Sequence, residues 1–275
     1  MSFPCRPFRV FIQLLIVFIV PLWAAFDHLP HSPRSASMGY IAFNLDPRGN
    51  NAMITPSSLA QLESISGSIN WGNRFGLKDL SHQSGNVKFT LFDTPADAGF
   101  SQFGNALYRE SIFYFASGSA VKSNFFVGAS ITVYNLVIKN YGSASAFGIT
   151  GSWQMSINEY LTWSGALQNI NAPSIGKTEE PLPQVIYTEC LISPSEKLIT
   201  VFGWEQDTEY SGRFKFGTEY KVFPWLSISS GFISNPGQGT AGISVYIKNV
   251  GLYYGASTHP ELGLSHWFGL GFSAD

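Results

Sequence analysis

The feature that most constrains the fold of this chain is an alternation of apolar and polar side chains that recurs from residue 64 to the C-terminal end. In the segment SISGSINWG, residues 64–72, the odd positions are apolar or glycine, and the even positions from 64 to 70 are serine or asparagine. Side chains on a strand point alternately to opposite faces, so this segment predicts a ribbon with one apolar face and one polar face. A soluble β-sandwich would bury the apolar face in its core, whereas a membrane barrel would turn it toward lipid.

The same alternation returns in short blocks that turn-forming residues separate, such as NVKFTLFD at 86–93 and FVGASITVY at 126–134. There are roughly thirteen such candidate strands, each near the 9–11 residues that a tilted membrane strand needs. Bacterial single-chain barrels have even strand numbers, so the count predicts about 14 strands, with 12 as the alternative. Gly39–Asn44 and Phe100–Leu107 are the segments where one strand is most easily missed or added.

Composition favours the membrane barrel over the sandwich. Charged residues make up 12% of the chain, about half the share of soluble domains, while aromatic residues reach 15%. The polar faces carry Ser, Thr, Gly, Asn and Gln rather than Lys and Glu, and the clear apolar faces carry no charge. No stretch after residue 25 has the run of about 18 apolar residues that a spanning helix needs. We therefore predict an all-β chain that forms a transmembrane antiparallel up-and-down β-barrel, with outer-membrane lipid against the apolar face.

The N-terminus has the three-part layout of a secretory signal, which we assign to residues 1–25. Arg6 and Arg9 precede the apolar core Val10–Trp23, and Ala24 and Ala25 offer small residues for cleavage. An uncleaved anchor is the alternative, although about 14 apolar residues are short for a spanning helix. Export predicts the outer membrane of a diderm bacterium as the destination.

The predicted mature chain is mildly acidic. Loss of Arg6 and Arg9 leaves 14 basic residues against 18 acidic ones, a net charge of −4. Nucleic-acid binding needs clustered Lys and Arg, so no nucleic-acid partner is predicted. Cys190 is then the one thiol of the mature chain, and no internal disulfide is possible.

Residues Ser32–Ala60 do not alternate and contain three prolines, which is compatible with an exposed linker or with a plug inside the barrel. Residues 34–39 (RSASMG) and 55–59 (TPSSL) resemble the Arg-Ala-x-x-x-Gly opening and the Asn-Pro-Ala-Gly-Leu hatch motif of the FadL/PorV/PorQ-like superfamily of outer-membrane barrels, with the Asn, Ala and Gly of the second motif replaced. FGLKDLS at 75–81, EPLP at 180–183 and the segment 257–272 are also similar to PorV/PorQ-type proteins.

The resemblance implies a 14-stranded barrel, residues 63–275, that follows an N-terminal hatch, residues 26–62. It places five residues in that hatch: Arg34, Gly39, Asp46, Pro56 and Leu59. Relatives either pass hydrophobic molecules through the outer membrane or serve as accessory proteins of type IX secretion.

Five charged residues fall on the polar, lumen-facing register: Lys88, Arg213, Lys215, Glu219 and Lys248. Buried charges need partners, so the interpretation we favour is structural, with pairs among themselves or with the hatch, Arg213 with Asp46 for example. A charged strip that orients an amphipathic solute is the alternative.

Tryptophans near strand ends are predicted to form the aromatic girdles at the two membrane interfaces. The candidates are Trp71, Trp163, Trp204 and Trp225. Packing against the hatch would be the ordinary alternative for them.

No catalytic, cofactor or metal site is predicted. Ser265 and His266 are neighbours on a strand, so their side chains point to opposite faces and cannot act as nucleophile and base. His259 precedes Pro260, which is typical of a turn. The five histidines have neither metal-ligand spacing nor a cysteine partner.

Three functions remain open at this point. The first, favoured by EPLP and the C-terminal segment, is an accessory or scaffold role with secretion-system or surface proteins as partners. The second is a FadL-like channel for small hydrophobic molecules, and the third is a soluble secreted β-sandwich that binds a ligand. The predicted surface loops Thr94–Arg109 and NAPSIGKTEEPLP at 171–183 could serve either of the first two. An apolar lateral opening between strands would favour the channel, and a sealed lumen would favour partner binding.

Overall fold

A computed structural model describes residues 25–26, 32–43, 48–49, 52–208 and 211–274. The predicted signal peptide lies outside the described residues except for Ala25, and Asp46 of the predicted hatch also lies outside them. Among the described residues, no helix is long and apolar enough to cross a membrane.

Fourteen strands in the described part of the chain close into one antiparallel barrel, in which each strand pairs with its neighbours along the chain and the last strand pairs with the first. These strands are β1 (Ser66–Asn73), β2 (Ser81–Leu91), β3 (Thr94–Gly104), β4 (Tyr108–Lys122), β5 (Phe125–Ile138), β6 (Gly142–Ser156), β7 (Leu161–Gln168), β10 (Val185–Ser195), β11 (Leu198–Asp207), β12 (Arg213–Phe223), β13 (Leu226–Ile233), β14 (Gln238–Ile247), β15 (Val250–His259) and β16 (Gly263–Ser273). The short hairpin β8 (Ser174–Ile175) and β9 (Glu180–Pro181) lies in the loop between β7 and β10. The prediction of about 14 strands is confirmed, and the sandwich alternative is wrong because the sheet closes on itself.

The predicted loop Thr94–Arg109 is wrong for most of its length, because Thr94–Gly104 is strand β3. The alternation of apolar and polar residues in this strand is weak, because small residues and Pro95 fill many of its positions. In the structure Asp97 is buried and Phe100 is exposed. The described part of Gly39–Asn44, residues 39–43, forms no strand.

The apolar side of SISGSINWG faces outward. Ile69 and Trp71 are 60% and 48% exposed, whereas Ser68 and Asn70 are each 4% exposed. The same holds around the barrel, whose outer surface is covered by exposed Phe, Ile, Leu and Val side chains. A surface of that kind is far larger than the apolar patches that soluble monomers expose, so it fits contact with lipid.

The two ends of the barrel differ in their connections. At the turn end, where β1 begins and β16 ends, consecutive strands are joined by two to four residues. At the loop end the connections run from three residues to the 16 residues of 169–184. Short turns at one end and longer loops at the other are typical of outer-membrane barrels.

Two short helices precede the barrel. Helix α1 (Pro33–Ser37) begins after Ser32, whose Oγ accepts a hydrogen bond from the Ser35 backbone N–H at 3.1 Å, and Pro33 stands at a position where proline favours helix initiation. A 3-10 helix covers Pro56–Gln61. Every residue of α1 is buried, and this burial is provided by the inner wall of the barrel.

Candidate functional site

The N-terminal segment, residues 32–62 as far as they are described, packs against two opposite parts of the inner wall. Helix α1 contacts strands β13 to β16, and the 3-10 helix contacts β3 to β6. The wall at these places is made of glycine pairs that lie opposite each other on adjacent strands: Gly118 and Gly128, Gly217 and Gly231, and Gly242 and Gly255.

The glycine pairs leave room for the backbone of the segment rather than for its side chains. A Cβ atom on Gly217 would overlap the carbonyl oxygen of Met38, and one on Gly128 would overlap the backbone of Pro56 and Ser57. Gly39 itself has φ +70°, and a Cβ there would overlap the Phe216 carbonyl oxygen. The fit therefore depends on the absence of side chains on both partners.

Buried charges of the wall hold the same segment. The Arg34 guanidinium donates two hydrogen bonds to the Glu219 carboxylate, at 2.7 Å from Nε and 2.9 Å from Nη2. The Lys215 ammonium donates to the Tyr40 carbonyl oxygen at 2.7 Å. Bidentate and charge-assisted bonds of this kind are the stronger hydrogen bonds of proteins.

The Glu189 carboxylate contributes a further contact that sequence reasoning missed. It accepts the backbone N–H of Ala42 at 2.6 Å and that of Phe43 at 3.0 Å. Glu189 lies in a segment, PLPQVIYTECLIS, that is apolar at most positions on both faces, so its facing could not be assigned from the pattern.

Three further charges were predicted to face the lumen: Lys88, Arg213 and Lys248. Lys88 is 4% exposed and stands opposite Asp97 on the neighbouring strand. Arg213 lies 3.7 Å from Glu205, which also pairs with Lys215, while the predicted partner Asp46 lies outside the described residues. Lys248 was predicted to lie in a strand, but it is exposed in the turn between β14 and β15 with φ +52°.

The predicted hatch residues Pro56 and Leu59 both lie in the 3-10 helix, and Leu59 is 1% exposed. Leu59 belongs to an apolar cluster, here called the inner cluster, inside the barrel. Its other members are Ala42, Phe43, Ala52, Met53, Ile54, Tyr114, Ala116, Ala166, Val185 and Tyr187, with Ile112 packed against them.

The four predicted girdle tryptophans all lie on the outer surface and are between 43% and 52% exposed. Trp71 and Trp204 lie toward the loop end, and Trp163 and Trp225 lie toward the turn end. The indole N–H of Trp163 donates to Thr188 Oγ1 on the neighbouring strand at 3.0 Å. Their role at the two membrane interfaces stays a prediction that this placement suits.

At the loop end of β4, β5 and β6 the polarity of the two faces of the wall is reversed relative to the rest of the barrel. Most outward positions there are polar, and the Asn135 amide donates to Ser145 Oγ at 3.0 Å across the outer face. Most inward positions are apolar, although Glu110 is buried among them and accepts a hydrogen bond from the Tyr108 hydroxyl. The apolar side chains form a second cluster, here called the loop-end cluster. Its buried members are Phe26, Tyr134, Ile175 and Leu182, with Ala25, Ile112, Leu136, Ala144 and Ala146 packed against them.

The long loop 169–184 covers the loop-end cluster. Ile175 and Leu182 of this loop belong to the cluster, and Phe26 meets the Tyr134 ring edge-on at a centroid distance of 5.0 Å. The Tyr134 hydroxyl donates to Asn169 Oδ1 at 3.0 Å, so the one polar atom of that ring has a partner in the loop.

Beside this cluster the barrel wall is incomplete. Strand β6 pairs with β7 only from Gly151 to Ser156, so among the described residues the stretch 142–148 has no strand partner on that side. Asn171 covers the first part of this edge, because its side chain accepts the Ile149 N–H and donates to the Phe147 carbonyl oxygen, both at 2.8 Å. The edge is therefore closed by loop side chains instead of by a strand ladder.

The residues examined for catalysis are not brought together. His266 Nδ1 lies 2.9 Å from the Tyr254 hydroxyl, whereas Ser265 is buried and its Oγ accepts the Phe75 N–H at 3.1 Å. His259, the last residue of β15, packs edge-on against the Phe75 ring. In the described part of the chain, no three His, Cys, Asp or Glu side chains are grouped as they would be around a metal ion.

These features define a 14-stranded barrel of the outer-membrane type, with buried N-terminal residues against its inner wall and an apolar cluster at its loop end. No protein-family model matches the sequence, and no curated protein matches it.

Solved structures match it over nearly the whole chain. The toluene transporter TbuX of Ralstonia pickettii is similar with a TM-score of 0.65, at 12% identity over 89% of this chain and 98% of that one. The toluene transporter TodX of Pseudomonas putida gives a TM-score of 0.65, at 10% identity over 90% and 97%. A FadL homologue of Pseudomonas aeruginosa gives 0.60, at 10% identity over 91% and 97%. The chain therefore has the fold of the FadL-type outer-membrane barrels, as the sequence resemblance implied.

Proposed function

We propose that this chain is an outer-membrane channel for small hydrophobic molecules. The loop-end cluster carries the proposal, because the inner wall of an outer-membrane barrel is ordinarily polar and here it is mostly apolar beneath a covering loop. The similar structures named as toluene transporters support the same function. In this proposal the loop end faces the exterior and the turn end faces the periplasm, as is usual for barrels with short periplasmic turns.

Two apolar clusters that lie next to each other would provide the path of the solute through the lumen. Ile112 packs against both the loop-end cluster and the inner cluster, so apolar side chains continue from the covering loop to the N-terminal segment. The loosely closed edge of β6, next to Ala144 and Ala146, is a second apolar route from the loop-end cluster toward the outer surface.

The affinity expected between a small aromatic solute and the loop-end cluster suits transport. Burying a side chain the size of phenylalanine is worth about 1.5–3 kcal/mol. A monoaromatic solute would therefore be enriched in the cluster by about 10- to 150-fold, enough to collect it from water and weak enough to let it leave.

The N-terminal segment is proposed to act as the plug of this channel. Its described residues occupy glycine gaps and charged contacts on opposite sides of the wall, so they lie across the route from the loop end to the turn end. Passage of a solute to the periplasm would require displacement of part of this segment or use of the β6 edge.

The accessory role in secretion, which the sequence resemblance favoured, receives no support from the similar structures. Its basis remains EPLP, of which Glu180 and Pro181 form the small strand β9, and the C-terminal segment, which forms most of β16. The similar structures favour the channel, and we retain the channel as the proposal.

Uptake measurements test this proposal. In cells that lack other hydrocarbon channels, the full-length chain is expected to raise the initial uptake rate of radiolabelled toluene several-fold over the empty vector. Leu136→Asn places an amide in the loop-end cluster and is expected to remove most of that increase, because it replaces an apolar contact surface with a polar one.

The matched control is Val137→Asn, the next residue of the same strand, whose side chain lies on the opposite, outer face. It should leave uptake near the level of the unmodified chain. Uptake equal to the vector, or equal loss in both variants at equal membrane abundance, would contradict the proposal.

A further inference from the structure

A cleft of about 390 Å³ opens at the turn end of the barrel, on the side formed by β11 to β14. It lies far along the wall from the loop-end cluster, and the proposed channel function does not depend on it. Its floor is the Arg34–Glu219 ion pair, whose charges neutralise each other.

Positive charge dominates the rest of this turn-end cleft. Arg48, Lys197, Lys221 and Lys248 line it together with a single further acid, Glu196. Four positive charges against one negative charge give +3 among the described lining residues outside the ion pair. The whole chain carries a net charge of −2, so this concentration of basic residues is local.

The backbone brings hydrogen-bond donors of the cleft together. The Lys221 N–H of β12 donates to the carbonyl oxygen of Lys197 in the β10–β11 turn at 2.8 Å, which holds the two lysines side by side. Ser227 stands opposite Lys221 on the next strand. It is 1% exposed, and its Oγ has no hydrogen-bond partner among the described residues.

Arg48 completes the cleft from the side of the N-terminal segment. Its guanidinium lies over the Tyr246 ring at 5.5 Å from the ring centroid, a contact that fixes the direction of the charge. A buried serine hydroxyl, lysine ammonium groups and a guanidinium are the donors that proteins use to bind phosphate oxygens.

We propose that the turn-end cleft binds a phosphate group. A soluble phosphate monoester carries about −1.5 to −2 charges at pH 7, so a local excess of positive charge attracts it more strongly than it attracts a monocarboxylate. A phospholipid phosphodiester carries one negative charge and offers the same acceptor oxygens. Two sources share this chemistry: a soluble phosphate compound on the turn side, and the headgroup of an anionic phospholipid beside the turns. Lys197 and Lys248 lie in those turns and are exposed toward both sources.

Titration calorimetry on the purified full-length protein in a maltoside detergent tests the site. Inorganic phosphate and glycerol phosphate are titrated against sodium chloride of equal ionic strength, and native mass spectrometry measures retained phosphatidylglycerol against an uncharged glycolipid. Saturable binding of the soluble phosphates supports the proposal and identifies a soluble source, whereas selective retention of phosphatidylglycerol supports it and identifies the lipid.

Variants locate the binding. Lys221→Gln is expected to weaken binding about tenfold, and Ser227→Ala should also weaken it. Glu196→Gln should strengthen it, because it removes the single repelling charge. Lys177→Gln changes an exposed lysine at the other end of the barrel and should have no effect.

These substitutions lie at exposed positions or remove one hydroxyl, so the barrel should remain folded. Heat-modifiable migration on electrophoresis checks this for each variant. The proposal would be overturned if the soluble phosphates bound no better than chloride and phosphatidylglycerol was retained no better than the uncharged glycolipid. An equal effect of Lys221→Gln and Lys177→Gln would also overturn it.

Discussion

Replacement of Gly217 by valine is expected to displace the N-terminal segment and to open the lumen to small hydrophilic solutes. The new side chain would occupy the space of the Met38 backbone, where even a single Cβ overlaps the Met38 carbonyl oxygen and comes within 2.9 Å of its Cβ. Overpacking of a tight contact costs about 1–3 kcal/mol when neighbours can move, and backbone held on both sides moves less easily. Valine itself suits a strand, so the barrel should still form.

Gly128→Val should have the same effect from the opposite wall, because a Cβ there overlaps Pro56 and Ser57. A barrel of this strand number encloses a wide lumen once nothing fills it, so single-channel conductance in planar bilayers should rise about tenfold or more for the double variant. Entry of a hydrophilic antibiotic into cells should rise in parallel.

Gly239→Val is the matched control for both substitutions. Gly239 is an exposed strand glycine, and a Cβ there would have as its nearest neighbour Thr258 Oγ1 at 3.6 Å, an ordinary contact. Conductance of the double variant no higher than that of this control would show that the N-terminal residues do not block the lumen.

The second large effect is expected at the ion pair between the N-terminal segment and the wall. Glu219→Gln leaves the Arg34 guanidinium buried without its carboxylate, and breaking a buried pair in this way costs about 3–5 kcal/mol. We expect that cost to appear as local opening of α1 rather than as unfolding of the barrel, because the strand ladders are untouched. The opening equilibrium should rise by about two to three orders of magnitude.

Hydrogen exchange of residues 33–43, followed by mass spectrometry, measures this opening. The double substitution Arg34→Leu and Glu219→Leu should recover part of the protection, since an apolar pair in place of a buried ion pair is often neutral. Glu261→Gln in the exposed β15–β16 connection serves as the control. Unchanged exchange in Glu219→Gln would show that other contacts alone hold α1.

The faces of the strands could be predicted from the sequence because alternation has only two outcomes at each position. In β1, Ser68 inside and Ile69 outside follow from the pattern once lipid is the outer solvent. Strand β3 could not be found this way, because Gly99, Ala96 and Pro95 give a face no apolar signal. Lys248 was assigned to a strand because a two-residue turn leaves the alternation around it nearly uninterrupted.

The contents of the lumen were harder to predict for a different reason. The Arg34–Glu219 pair joins residues 185 positions apart, and no local pattern carries that distance. The loop-end cluster did leave a trace in the sequence. If the alternation of β5 is continued past Val133 toward the loop end, Asn135 falls on the outer face and Leu136 on the inner face. The strands β5 and β6 have 14 and 15 residues, which is more than a membrane-spanning strand requires. Their length is a second indication that their loop ends differ from the rest of the wall.

The two halves of the lumen differ in a way that the proposed function uses. Glycine gaps and apolar contacts hold the N-terminal segment on both sides, while the described ion pair of the segment, Arg34 with Glu219, lies on the β12 side. A solute that enters the loop-end cluster would next meet the inner cluster, whose apolar contacts are easier to exchange for contacts with a hydrophobic solute than the ion pair is.

Photolabelling with a small diazirine-bearing benzene, in membranes that contain the full-length chain, tests the central assignment most directly. Peptide mapping should find label on Tyr134, Leu136 and Ala146 inside the loop end, and an excess of unlabelled toluene should compete for it. Label confined to the lipid-facing side chains Phe113, Val133 and Phe147, with no competition by toluene, would contradict the account.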